Sequence, residues 1–92
     1  MKVTVKYLSQ IRKATNVPQE EVELNHAISV QELIKTVLCK KYEKLSQVIL
    51  DQSGALRPII LVFHQQKPVK EGTPSLIENG DIITIMAPIT GG

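Results

Sequence analysis

Ser29, followed three residues later by Glu32, forms a capping box in which each side chain answers a free backbone N–H at the start of a helix. Ile28 just before the cap and Leu33 four residues after it fit the accompanying hydrophobic staple. Val30, Leu33, Ile34, Val37, Leu38 and Lys41 then fall on one side of a 3.6-residue helix, and the apolar members of that stripe need a surface to cover. The rest of the patterned sequence reads as strand, so the helix has a sheet face to pack on.

Val3, Val5 and Tyr7 alternate with Lys2, Thr4 and Lys6, which predicts a half-buried strand over residues 2–8. Asn16, Pro18 and Glu20-Glu21 mark a turn. Val22 and Leu24 alternate with Glu21 and Glu23 in a short second strand that returns as a hairpin, with room for a helical turn between Ile11 and Asn16. After Leu45 the pattern becomes irregular. Asp51-Gln52-Ser53-Gly54 reads as a turn, and Pro58 opens the run Ile59-Ile60-Leu61-Val62-Phe63, a strand apolar on both faces. Gln65-Gln66 is a two-residue hairpin turn into a short strand at 67–69, where Pro68 is tolerated only at a sheet edge. Ser75 is expected to cap one helical turn through Leu76 and Ile77. Asn79-Gly80 supplies the positive φ angles of a tight turn before the last strand, 81–86. The order β-β-α-β-β-β predicts an α+β roll: a mixed sheet packed on one helix, with two hairpins flanking that helix and the first and last strands side by side at the centre. That is the β-grasp, ubiquitin-like arrangement.

Ninety-two residues with 42% hydrophobic and 22% charged content suit one folded domain, expected over 1–86, with a tail at 87–92. No apolar run approaches the ~20 residues that cross a bilayer, so no membrane association is expected and the chain reads as cytoplasmic. The 11 basic residues are scattered among 9 acidic ones without a stripe or interleaved aromatics, which argues against nucleic acid as a partner. A single cysteine, Cys39, makes no internal disulfide and holds neither an iron–sulfur cluster nor a structural zinc; no metal site is expected.

In the tail Ala87-Pro88-Ile89-Thr90-Gly91-Gly92, Pro88 cannot donate to a sheet ladder and the glycines have no side chains to anchor, so it is expected to project free. Extended at up to ~3.6 Å per residue it reaches about 20 Å, enough to thread another protein's active site. A narrow channel can close around a backbone that lacks Cβ atoms. The alternative is an ordinary frayed end. A strand running directly into the tail, in a fold of this kind, favours the first reading.

With Ile60 and Val62 facing the helix, Leu61 and Phe63 emerge on the other side of the sheet, where Leu8 and Met86 join them as a candidate partner-binding patch. The alternative is that they form a second small core under residues 46–56. Cys39 falls opposite the apolar stripe, which predicts exposure and leaves a persulfide relay open. His64 reads as structural at a strand end and His26 as a loop residue. Neither a Ser/His/Asp or Cys/His constellation nor a phosphate-cradling glycine loop is read from the sequence, so autonomous catalysis is not expected.

Asn79-Gly80-Asp81, the alternating strand and the Ala87 to Gly92 tail together resemble the C-terminal signature of ThiS/MoaD-type sulfur carriers. Tyr7-Leu8-Ser9-Gln10-Ile11-Arg12 is similar to that family's first strand and turn, Ile28-Ser29-Val30-Gln31-Glu32-Leu33 to its helix start, and Val62-Phe63-His64-Gln65-Gln66 to its central hairpin. The resemblance implies a carrier rather than an enzyme. A ubiquitin-activating-type enzyme would use ATP and magnesium to adenylate the Gly92 carboxylate, a persulfide donor would displace AMP, and a synthase would consume the resulting thiocarboxylate. The carrier itself would bind no cofactor. On the same resemblance Gly92 is the reacting residue and Gly91 its lead-in, while Pro88, Ile89 and Thr90 join Leu8, Leu61, Phe63 and Met86 in contacting partners. The long segment between helix and third strand exceeds that of the thiamine carriers and points to the molybdopterin synthase small subunit, with the large subunit as acceptor. A carrier for cysteine or thiamine biosynthesis, a ubiquitin-like modifier conjugated through Gly92, and an interaction module with an inert tail stay open.

Overall fold

The computed structural model describes residues 1–70 and 72–87. Its elements run β1 (Lys2–Ser9), α1 (Gln10–Thr15), β2 (Gln19–Glu23), a helix α2 over 30–41, α3 (Glu43–Ile49), β3 (Leu61–His64), β4 (Lys67–Pro68) and β5 (Ile82–Ala87). The five strands form one sheet in the order β2-β1-β5-β3-β4. β1 and β5 pair in parallel at its centre, and the hairpins β1–β2 and β3–β4 are antiparallel. The expected α+β β-grasp arrangement is the observed one.

The alternation in β1 and β5 decides which face is covered. Val3, Val5, Tyr7, Ile83 and Ile85 are buried in one core with Val30, Leu33, Ile34 and Leu38 of α2. At the start of α2 the Ser29 hydroxyl accepts the Glu32 N–H at 3.1 Å, the Ser29 half of the expected capping box, and Ile28 and Leu33 are both buried, as the staple requires. The short α1 occupies the β1–β2 connection and buries Ile11.

Several expectations are corrected. The middle of α2, Leu33–Leu38, is π-helical, and the Cys39 N–H donates to the Ile34 carbonyl five residues back. That wider turn stacks Cys39 over buried Ile34 instead of leaving it opposite the stripe, so Cys39 is buried. The first residues after Leu45 are not irregular: α3 continues to Ile49 and buries Leu45 and Ile49, an i, i+4 pair, before the expected turn at 51–54, where the Gly54 N–H donates to the Asp51 carbonyl at 3.0 Å. β3 starts at Leu61, because the Ile60 N–H bonds to the Arg57 carbonyl in a turn that occupies the first residues of the apolar run. Ser75 caps no helical turn. The free groups at the start of α2 take up this stretch instead, with the Val30 N–H donating to the Ser75 carbonyl at 2.8 Å and the Ile77 N–H to the Ile28 carbonyl at 3.0 Å. At the turn before β5 only Gly80 has positive φ, +89°. β5 itself continues through Ala87, one residue further than expected.

Candidate functional site

Parallel pairing brings the C-terminal ends of β1 and β5 to the same end of the sheet, where the antiparallel β3 begins. Leu8 pairs with Met86, and Met86 with Leu61, so on the face away from α2 these side chains form one lateral row across three strands. Leu8 and Leu61 are each 42% exposed and Met86 is half-buried. Phe63, also half-buried, stands one row further along, opposite Thr84. Residues 46–56 do not cover the row; much of that stretch is α3, which packs on α1. The four patch residues are thus brought together at the point where the chain leaves β5. Pro88, Ile89, Thr90, Gly91 and Gly92 lie outside the described residues.

The base of that exit is held firmly. Ala87 is buried and pairs with Ser9. Ser9 sits at φ 55°, ψ −132°, a conformation that costs a non-glycine residue about 1–3 kcal/mol. Its reward is a sharp turn from β1 into α1 that drops Ile11 into the core and leaves Leu8 on the open face. Periodicity carries no trace of this kink.

Two polar clusters fix the scaffold on either side. Glu20 of β2 accepts from the hydroxyls of Tyr7 and Tyr42 at 2.6 Å each and pairs with Lys41. Burial by itself would raise the Glu20 pKa, but the bonds from Lys41, Tyr42 and Tyr7 outweigh it and hold the carboxylate below its ordinary range. The Tyr7 hydroxyl is pushed far up, first by burial and then by the Glu20 charge. The two rings meet edge to face with centroids 5.9 Å apart. Sequence reading missed this cluster because its members are spread over β1, β2 and the end of α2.

At the opposite end His64 bridges Ser75, at 2.7 Å from Nδ1, and Asp81, at 2.5 Å from Nε2. The expectation of no Ser/His/Asp constellation is therefore corrected in geometry: pairing of β3 with β5 brings together residues far apart in sequence. Asp81 and Ser75 are anchored further. Asp81 accepts the Glu78 N–H at 2.8 Å, and the Ser75 N–H donates to the Gln31 side chain at 3.2 Å. The trio clamps the 75–81 crossing to β3, the structural role expected of His64. Burial would raise the Asp81 pKa, and the His64 and Glu78 bonds lower it further than burial raises it.

Burial raises the Cys39 thiol pKa, which disfavours the thiolate a persulfide relay needs. Among the described residues no cluster of three or more His, Cys, Asp or Glu side chains is arranged to hold a metal. No helix among them is long and apolar enough to cross a membrane.

Comparison with known proteins places this geometry. The model of the ThiS family matches residues 5–92. No curated protein matches the chain significantly. Among solved structures, SAMP1 from Haloferax volcanii superposes with a TM-score of 0.88 at 16% identity over 100% of both chains. The small archaeal modifier protein 1 from Methanosarcina acetivorans gives 0.78 at 25% identity over 99% of this chain and 96% of its own. The complex of subunits 1 and 2 of the molybdopterin-converting factor from Helicobacter pylori gives 0.61 at 18% identity, with both chains fully covered.

Proposed function

The chain belongs to the ThiS family, and from that premise we propose that it is a cytoplasmic sulfur carrier whose Gly92 carboxylate is adenylated and converted to a thiocarboxylate. The observation that carries the reading is that the family match runs through Gly91 and Gly92, directly beyond the strand whose end is ringed by Leu8, Met86 and Leu61.

A carboxylate resists nucleophiles until one oxygen becomes part of a good leaving group. In the proposed sequence a Gly92 oxygen attacks the α-phosphate of ATP in the activating enzyme's magnesium site and releases pyrophosphate. The terminal sulfur of a donor persulfide then displaces AMP to give an acyl persulfide. A thiol cleaves its S–S bond, becoming one half of a disulfide with the donor's sulfur, and the thiocarboxylate is left on Gly92. That sulfur is a competent nucleophile for an acceptor synthase. This chain supplies the transferred atom's attachment point and the surface that docks it. Leu8, Met86, Leu61 and Phe63 are the docking residues, and Pro88, Ile89 and Thr90 lead Gly91 and Gly92 into the active site.

The acceptor we favour is the large subunit of molybdopterin synthase. It is supported by the fold likeness to the Helicobacter pylori converting-factor complex and by the long stretch between α2 and β3 that holds α3. A second reading, a protein modifier joined through Gly92, is favoured by the likeness to the Methanosarcina acetivorans modifier at 25% identity. Carriage of sulfur for cysteine or thiamine synthesis is the remaining alternative.

Intact-mass measurement after incubation with the adenylating enzyme, ATP, magnesium and a sulfur source tests the proposal. The expected result is a gain equal to the sulfur-for-oxygen difference, absent when Gly92 is deleted and strongly reduced in Leu61→Asp. A ladder of heavier covalent conjugates in cells selects the modifier. An unchanged mass with every cognate enzyme overturns both.

A further inference from the structure

A groove runs along the outer side of β3, bounded by α2, the turn before β3 and the strand that follows the hairpin; it shares Leu61 and Phe63 with the row assigned to carrier docking, while its charged walls have no part in the proposed carrier chemistry. Its floor is apolar: Leu56, Val69 and Phe63 are half-buried and Leu61 is exposed, over the buried Ile60. Its walls carry three cations from three separate stretches of chain: Lys35 on α2, Arg57 before β3 and Lys70 after β4, all exposed. Among the described residues no acidic side chain lines it. Asp51 lies near enough to feel the Arg57 charge, but its carboxylate accepts from Ser53 and Ala55 within its own turn.

The shape of the groove is built in. The Gln31 side-chain amide donates to the carbonyls of Lys70 at 3.3 Å and Thr73 at 2.9 Å, tethering the Lys70 stretch to α2. β4 ends at Pro68, which has no N–H, so recognition falls to side chains rather than to strand pairing.

Three like charges held around an apolar floor repel one another, and an anionic partner relieves that repulsion. The floor requires more than charge, because covering it rewards aliphatic groups. Nucleic acid fits less well. Single strands are held by stacking on aromatic rings, and of the chain's three aromatic residues only Phe63 lines this groove. We propose that the groove docks an extended acidic segment of a partner protein. Its aliphatic side chains cover Leu56 and Val69, and its carboxylates meet Lys35, Arg57 and Lys70. The proposed contact rests on Lys35, Arg57 and Lys70, and the peptide test does not involve the chemistry of the terminal glycine.

Fluorescence anisotropy with the intact chain tests this, using a short labelled peptide that alternates glutamate and leucine. Saturable binding is expected, weakened about tenfold or more in Lys35→Glu/Lys70→Glu because like charges then face the peptide. Both positions are exposed, so the unfolding temperature should not move; Lys35→Gln/Lys70→Gln gives the same test without adding negative charge. A peptide alternating glutamate and serine should bind much more weakly. The proposal is overturned by no saturable binding, by variants that bind as the native chain does, by equal affinity for the serine peptide, or by tighter binding of a short oligouridine.

Discussion

The two faces of the central strands are built from the same kinds of residue and meet opposite fates. Toward α2, Val5, Ile83 and Ile85 have no solvent exposure at all. On the reverse face, Leu8 and Leu61 keep 42% of theirs. Hydrophobicity does not separate them; a covering layer does. The covered face is completed by this chain's own helix, whereas the bare face has no covering layer among the described residues, as an interface surface would.

Substitutions on each face measure how sharp that division is. Ile85→Ala empties part of a sealed core and should cost about 2–5 kcal/mol of stability, read as a large fall in the denaturation midpoint. A loss below that range would mean that the covered face is as forgiving as the bare one. Next in size is the cluster that pins α2 over the covered face. Tyr42→Phe deletes one hydrogen bond to Glu20 and should cost about 1 kcal/mol by denaturant titration.

That cluster also carries a pH dependence. The native Glu20 pKa is depressed, so its ionised form stabilises the fold. The contribution is complete above the unfolded value and fades as pH falls through the native one. The stability difference between the native chain and Glu20→Gln should therefore shrink below about pH 4. A difference that is constant down to strong acid would remove the carboxylate from the account. Smaller still, Ser9→Gly should raise stability by about 1 kcal/mol or less, because release of the φ strain is partly offset by glycine's freedom in the unfolded chain. Smallest is Leu8→Ser on the bare face, expected within about 0.5 kcal/mol of the native chain in melting experiments. A drop comparable to Ile85→Ala would erase the distinction between the faces.

The framework of the fold is legible from local patterns. The capping box placed the start of α2, the alternation in β1 and β5 chose the buried face, and Pro68 marked the edge strand. The grouping of Leu8, Met86 and Leu61 in one row was legible as well, because a period of two fixes which residues of neighbouring strands share a face. What escaped depends on contacts between distant segments or on departures from ideal geometry. Burial of Cys39 follows from a π-turn that a fixed 3.6-residue wheel cannot represent. α3 escaped because its apolar face rests on few positions, chiefly Leu45 and Ile49. The local sequence of Ser75 suits a helix cap, yet the groups awaiting it lie on α2, more than forty residues earlier. The His64 clamp required the β3–β5 register before its three members could be seen as neighbours.

The parallel pairing of β1 with β5 also governs how the protein comes into being. The middle of the sheet is assembled from β1 and from β5, more than seventy residues later in the chain. Until residues 82–87 have been synthesised, β1 and β3 have no strand between them and the nascent chain cannot close its core, a contact pattern that makes folding slow. A message cut short before Ile82 therefore yields an unfolded chain open to proteolysis rather than a decoy. The row formed by Leu8, Met86 and Leu61 is likewise complete only once β5 has been made.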